Sequence, residues 1–404
     1  MSCPPNVRQI REDSHEEVNS AFEGFSLSQQ PEEGTAPRAR GPPKVSTAVI
    51  DYLLKESPEF RRLSELRKKG WENPEGDRFF EKQRQTADSA DGKTAKLFYK
   101  MMMKIGEDMN RITHVFDIKR SSGFDAGILD MCMAPGGFLA TALRHNPDAR
   151  AVGFSLPKDQ GGHNVFLPPQ RNVAANFLDI TMLAADMGVT NIPADHPDAG
   201  NFLPCQFTPE MRFDLVICDG QVLRTHERAA YREQREATRL VVTQLALGLE
   251  HLKPGGSMIV LLHRVEAIAS VQLLYTFEKF ASVRLFKPTN AHAKRSSFYM
   301  VASKVKSDCE EAANAIATWK RMWKAATFGI DEEYYEAIRD NGQDDEVLIR
   351  DFGKRLTMLG KHVWNLQANA LAKAPFLRES PTTPEVPAVK GESTRLESDW
   401  ALRK

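Results

Sequence analysis

Asp130-Met131-Cys132-Met133-Ala134-Pro135-Gly136-Gly137-Phe138 stands between an apolar run and a stretch with helical periodicity. The run Ala126 to Met133 reads as a buried strand, and Gly137 to Arg144 as the helix that follows it. A glycine pair at such a turn lets a ligand lie against bare backbone, beside the free N–H groups of a helix start. The spacing is neither the GxGxxG of dinucleotide folds nor the GxxxxGK[ST] of phosphate loops, which disfavours dinucleotides and nucleoside triphosphates. A nucleoside-bearing ligand fits better, and a tight strand-to-helix turn with no ligand is the plain alternative.

Working outward, short apolar runs alternate with longer amphipathic stretches between about 125 and 305. The runs are 126–133, 151–156, 175–180, 213–218, 257–263, 283–286 and 298–304, with helices expected over 137–144, 225–252 and 267–280. That alternation is the pattern of βαβ units and a mostly parallel sheet. It predicts an α/β fold with about seven strands in a doubly wound sheet. Asp130 to Gly137, Asp179 and Asp219 all fall at the carboxyl ends of strands, where open α/β sheets bind ligands.

The nine-residue string resembles the S-adenosylmethionine loop of the FtsJ-like (RrmJ-type) ribose 2′-O-methyltransferases, Asp-x-x-x-Ala-Pro-Gly-Gly followed by an aromatic residue. Phe213-Asp214-Leu215-Val216-Ile217-Cys218-Asp219-Gly220 resembles the family's fourth motif. Leu252-Lys253-Pro254-Gly255-Gly256-Ser257 is similar to the turn before its fifth strand, and Ser297 to Ala302 to its closing strand. The resemblance covers roughly residues 95 to 305. It implies a seven-stranded methyltransferase (Rossmann-like) sheet with the last strand antiparallel, a transferase activity and S-adenosyl-L-methionine as cofactor. By the same resemblance Asp130, Pro135, Gly136, Gly137 and Phe138 form the cofactor loop, Asp179 faces the adenine and Asp219 sits beside the methyl group. Ser155 occupies the place of the acid that usually holds the ribose hydroxyls.

The resemblance also implies a Lys-Asp-Lys-Glu catalytic tetrad. Clustered charge and burial would tune one lysine toward its neutral form, able to take a hydroxyl proton. Lys100 matches the first lysine, with Lys96 and Lys104 as competitors, and Asp219 matches the aspartate. The third and fourth positions are Leu261 and Ser297, so the tetrad is degenerate. On a strand His263 points to the same side as Leu261 and could replace the base, the alternative being an ordinary strand-end histidine. The favoured function is RNA ribose 2′-O-methylation. A small-molecule O-methyltransferase and a non-catalytic cofactor-binding scaffold are the rivals.

The flanks read differently. Residues 1–45 and 377–404 have the Ser, Pro, Gly and charged composition of disordered ends, whereas 46–115 and 307–376 show helical periodicity and read as extensions of a domain at 116–306, available to a protein partner. The 404 residues carry 54 Lys+Arg and 54 Asp+Glu, a zero balance that disguises local excesses. Lys279, Arg284, Lys287, Lys294, Arg295, Lys304 and Lys306 lie in a segment without an acid, a candidate RNA phosphate strip. Residues 331–351 hold nine acids against Arg339 and Arg350, which raises the question of whether the one covers the other. The five cysteines never stand in CxxC spacing, so neither a disulfide framework nor a zinc site is expected. The sequence contains no apolar run of membrane-spanning length and no signal-peptide pattern, which leaves cytoplasm or nucleus as the expected location.

Overall fold

Gly127–Asp130 is apolar until its last residue and buried along its whole length, so it becomes the central strand β1 of a seven-stranded sheet. The computed structural model describes residues 47–88, 92–119, 126–340 and 344–377; the expected disordered ends therefore lie outside the described residues, except for residue 377. In chain order the other strands are β2 (Arg150–Ser155), β3 (Val173–Phe177), β4 (Phe213–Cys218), β5 (Leu252–His263), β6 (Ser282–Phe286) and β7 (Ser297–Ser303). Their order across the sheet is β3-β2-β1-β4-β5-β7-β6. Strands β1 to β5 pair in parallel, and β7 runs antiparallel between β5 and β6. This is the doubly wound arrangement expected from the alternation of apolar runs.

The helices are α1 (Thr47–Glu56), α2 (Pro58–Trp71), α3 (Pro74–Asp88), α4 (Gly92–Thr113), α5 (Gly137–His145), α6 (Glu236–Glu250), α7 (Ile268–Glu278), α8 (Glu310–Phe328), α9 (Asp331–Asp340) and α10 (Asp345–Ala372). One expected helix is much shorter than anticipated. It starts at Glu236 rather than Thr225, because Arg228 and Arg232 engage the Leu223 carbonyl and Asp179 with their side chains, holding 225–235 as a looped segment with one short 3₁₀ turn. That difference matters, since the loop runs along the ligand cavity.

Helices α4 and α5 approach each other closely because glycines face the crossing. A Cβ on Gly137 would fall 2.5 Å from Met102 Cβ and 2.6 Å from the Tyr99 carbonyl oxygen, and one on Gly106 would fall 2.9 Å from Thr141 Oγ1. Gly137→Ala is therefore expected to push α4 outward and to destabilise the protein by about 1–3 kcal/mol. The check is a lowered urea midpoint with an unchanged slope; an unchanged midpoint would refute the close contact.

The N- and C-terminal helical extensions pack on one another. Phe60 of α2 meets Trp364 of α10 at 5.2 Å between ring centroids. Glu266, just beyond β5, is buried and takes hydrogen bonds from Arg67 at 2.5 Å and from Trp364 Nε1 at 3.2 Å. Burial works against its charge, but Arg67 outweighs that and holds the carboxyl below its usual range.

The acidic segment divides between two helices: Asp331 and Tyr334 of α9 contact Arg235 and Thr238 around α6, whereas Asp345, Glu346 and Asp351 lie on α10, the helix that packs against β6. The seven bases do not form a continuous strip. Lys287 is fully buried and donates to the carbonyls of His292, Arg295 and Ser297 at 2.8, 2.6 and 2.7 Å. Arg295 is buried too, and Lys294 and Arg295 lie over the rings of Phe79 and Phe80 in α3. The phosphate strip expected over 279–306 is thus corrected: aliphatic stems and ring contacts draw its middle into the core.

Candidate active site

The parallel strands end on one edge of the sheet, and their carboxyl ends open into a cavity of about 130 Å³. Met131, Cys132 and Ala134 after β1, Ser155 and Leu156 at the end of β2, and Leu178 to Thr181 after β3 form one half of its wall. Asp219 to Leu223 after β4, His226 of the loop and Leu240 of α6 form much of the rest. The far side comes from α4 and the closing strands: Phe98, Met101, Met102 and Ile105, with Leu261 and Tyr299. Phe98, Met101, Met102 and Ile105 are spaced as one helical face, which is the signal by which α4 was recognisable as a wall.

Asp219 is the central charge. Burial pushes its carboxyl up to about 7, because the ionised form has lost water without gaining a cation. Asp130 lies behind it, fully buried, and accepts the Cys132 N–H at 3.2 Å; burial first and the Asp219 charge second raise its carboxyl well above the ordinary range. The turn that carries Asp219 is tight. Gly220 N–H donates to Gln244 Oε1 at 2.9 Å, and a Cβ on Gly220 would sit 2.3 Å from Cys132 Sγ.

Asp179 also lines the cavity, yet it is committed to a neighbour. Arg232 donates to Asp179 Oδ2 at 2.6 Å and to both oxygens of Glu236, at 2.6 and 2.9 Å. All three side chains are nearly inaccessible. Burial opposes ionisation of Asp179, but the guanidinium beside it outweighs that effect and keeps the carboxyl below its usual range. Asp179, His226 and Glu236 are close enough together to be compared with a metal site. Arg232 and Arg239, the latter donating to Glu236 at 3.0 Å, together balance both carboxylates, so the cluster is an ion-pair network.

The sequence expectations separate here. Ser155, Asp179 and Asp219 line the cavity as expected. Lys100 does not: it is exposed on the face of α4 turned away from the cavity, while its neighbours Phe98 and Met101 point inward. Its assignment to catalysis is corrected, because the apolar face of an amphipathic helix must go to the core and carries the lysines outward. The competitors Lys96 and Lys104 are exposed as well.

Of the glycine loop, Ala134 reaches the cavity, whereas Pro135, Gly136, Gly137 and Phe138 stand outside its lining. Gly136, at φ +103°, lies under Leu167, whose Cβ would be 3.1 Å from an added Cβ. Phe138 is a core residue, stacked on Phe116 at 6.5 Å and edge-on to Tyr299 at 5.4 Å. Leu167 and Met102 thus pack against the two glycines, and contact of this loop with the cofactor stands as the expectation the motif gives.

His263 does share a face with Leu261, since the register pairs Leu261 with Tyr299 and His263 with Ser297. It stands behind the cavity wall, with Nε2 at 2.9 Å from Gln221 Oε1, and burial together with Lys287, Arg295 and Arg264 lowers its pKa to about 4. It is therefore neutral at pH 7 and fixes the Gln221 amide. Sequence reasoning did not single out Gln221, His226, Arg232, Glu236, His292 or Tyr299. Only the fold brings these scattered positions to one cavity, Arg232 standing behind its wall on Asp179.

A doubly wound sheet of this strand order, with a buried acid at the end of β4 and a cavity at the strand ends, has the architecture the methyltransferase resemblance implies. Residues 106–305 match the model of the FtsJ-like methyltransferase family, and this part of the chain is an FtsJ-like methyltransferase domain with S-adenosylmethionine as its cofactor. No curated protein matches the chain in sequence. Among solved structures, an O-methyltransferase family protein from Burkholderia thailandensis is 11% identical, covering 64% of this chain and 72% of its own at a TM-score of 0.29. Human N-acetylserotonin methyltransferase, solved in complex with S-adenosylmethionine, is 13% identical, with 64% and 70% covered and a TM-score of 0.30. An rRNA methylase from Streptococcus thermophilus is 12% identical, with 51% and 95% covered and a TM-score of 0.27.

The cavity fits that cofactor. Asp219, buried in its wall, has no protein cation among the contacts that set its pKa, which suits a positively charged sulfonium. Leu178, Ile180, Leu223 and Leu240 offer apolar surface to a flat base.

Proposed function

We propose that this protein methylates RNA on a ribose 2′-hydroxyl. The observation that carries this reading is Asp219: a carboxyl with a pKa of about 7, in a cavity within an FtsJ-like domain, is matched to accepting a hydroxyl proton near neutral pH. When bound, S-adenosylmethionine supplies a methyl group on a sulfonium, an electrophile that needs no further activation. The chain's own residues align the acceptor and take up its proton. Asp219 receives that proton as the oxygen gains the methyl group. Gln221, whose Oε1 accepts from His263 and whose amide nitrogen donates to the Gly220 carbonyl at 3.0 Å, lines the same end of the cavity. The α4 wall of Phe98, Met101, Met102 and Ile105 excludes water, so that the Asp219 charge acts at low dielectric. Of the family tetrad the aspartate is kept as Asp219, and no lysine lines the cavity among the described residues.

That apolar wall also favours a second reading, transfer to the hydroxyl of a small apolar acceptor. Incubation with methyl-labelled cofactor and either total RNA or a small-molecule extract separates the two. We expect label in RNA, in dinucleotides that resist alkaline hydrolysis, since a methylated 2′-oxygen cannot attack the adjoining phosphate. Label confined to the small-molecule fraction, or to alkali-labile nucleotides, refutes ribose methylation.

A further inference from the structure

Helix α4 divides its surface sharply. At about 100° per residue, Phe98, Met101, Met102 and Ile105 cluster on one side and line the cavity, whereas Lys93, Lys96, Lys100 and Lys104 fall within an arc of about 80° on the other. All four lysines are exposed. Among the described residues none of them has an ion pair or hydrogen bond, and the acids of the same helix are engaged elsewhere. Glu107 pairs with Arg144 at 2.8 Å and with His145 at 3.1 Å, and Asp108 with Arg111 at 2.7 Å.

A row of like charges is not what helix stability asks for. Exposed helix faces are stabilised by interleaved signs at i,i+4, and like charges at that spacing repel. Lys93 stands in the first turn, where the helix dipole disfavours a cation. The four ammonium groups extend over eleven residues, about 16 Å of helix, one helix diameter from the cavity.

We propose that this lysine row is the surface on which an RNA strand's phosphates rest while one ribose reaches the cavity on the opposite face of the same helix. The assignment rests on RNA as the acceptor and adds where the strand is held. It also gives Lys100 a role in positioning, with no part in proton transfer. The segment 279–306, whose middle is buried, is not needed for that contact.

The test is the salt dependence of binding to a single-stranded RNA, read by fluorescence anisotropy, for the full chain and for a variant with Lys93, Lys96, Lys100 and Lys104 all changed to Gln. Each phosphate that is no longer neutralised should reduce the slope of log K against log salt by about 0.7, so the slope should fall by about 3 and affinity by at least about tenfold at moderate salt. The four Lys→Arg substitutions should keep the parent slope. Lys304→Gln with Lys306→Gln, both exposed, should also leave it unchanged. Thermal unfolding of each variant reports whether it is folded, and all four positions are exposed.

An unchanged slope in the folded Lys→Gln variant overturns the proposal, as does absence of RNA binding by the parent. A parallel loss of binding to anionic lipid vesicles but not to RNA would reassign the surface to a membrane and overturn it equally. Methyl transfer is scored separately. Labelled RNA with an unchanged slope leaves the ribose reading standing without this surface, and a reduced slope without label does the reverse.

Discussion

Asp219→Asn is expected to reduce methyl transfer by about 10²–10⁴-fold, the range for loss of a positioned acid or base, while the protein without cofactor becomes no less stable than the parent. Both halves follow from one group. The amide keeps the size of the side chain but cannot accept a proton or oppose a cation. In the parent, burial has raised the Asp219 carboxyl to about 7, against about 3.9 for an unfolded chain. Between those values the folded state holds more protons than the unfolded state. Stability is therefore greatest below about pH 4 with respect to this group, and falls as pH rises toward 7. The full effect is on the order of 4 kcal/mol at most, because Asp130 behind it shares the titration. In the Asn variant that decline should flatten. Turnover within fivefold of the parent, measured with labelled cofactor and RNA, would remove Asp219 from the mechanism; an unflattened pH profile of the urea midpoint would contradict its burial.

Arg232→Met should cost about 3–5 kcal/mol, the largest loss of stability expected from any single change at the site. The guanidinium is shared by Asp179 and Glu236, and its loss leaves Asp179 buried beside only His226, at 3.6 Å, and Glu236 beside only Arg239, at 3.0 Å. The sign with pH is definite. In the parent, Asp179 is held below its usual range, so it contributes stability above about pH 4 that is lost as pH falls through its lowered pKa. Without Arg232, burial, the largest influence on Asp179, outweighs the His226 and Thr181 contacts and raises it. The variant should then gain stability on moving from pH 8 to pH 5, as the acids take up protons. Urea midpoints at both values provide the check, and an equal deficit at pH 5 and pH 8 would show that the loss is one of packing. Cofactor binding should weaken too, because Asp179 and the His226 loop form one wall of the cavity.

The sheet was readable because each strand is short, apolar and bounded by turn residues; Phe213–Cys218 is found with the ends its composition predicts. Buried parallel strands need little context to be recognised, since both faces must be apolar. Lys100 was not readable in the same way. The resemblance to the family's first lysine made it a candidate, but only the direction of the apolar face of α4 decides which side chains enter the cavity. Gly136, Gly137 and Phe138 illustrate the same point within the most telling motif. The glycines do permit close approach, but what approaches is Leu167 and Met102.

The sequence by itself determined the doubly wound sheet, its reversed last strand, the place of Asp219 at the end of β4 and the family to which residues 106–305 belong. The sheet and the acid at the end of β4 follow from local rules of strand period and turn chemistry, legible within ten residues or so, whereas the reversed last strand and the family follow from the resemblance that the motifs carry. Only the tertiary structure decided which charges face the cavity. Asp179 met Arg232 across fifty-three residues of chain, His263 took Gln221 across forty-two, and the lysines of α4 turned outward because the other face had to be buried. Burial and pairing are properties of the assembled core, so the chemistry of each acid and base was settled when the helices and loops closed on the sheet.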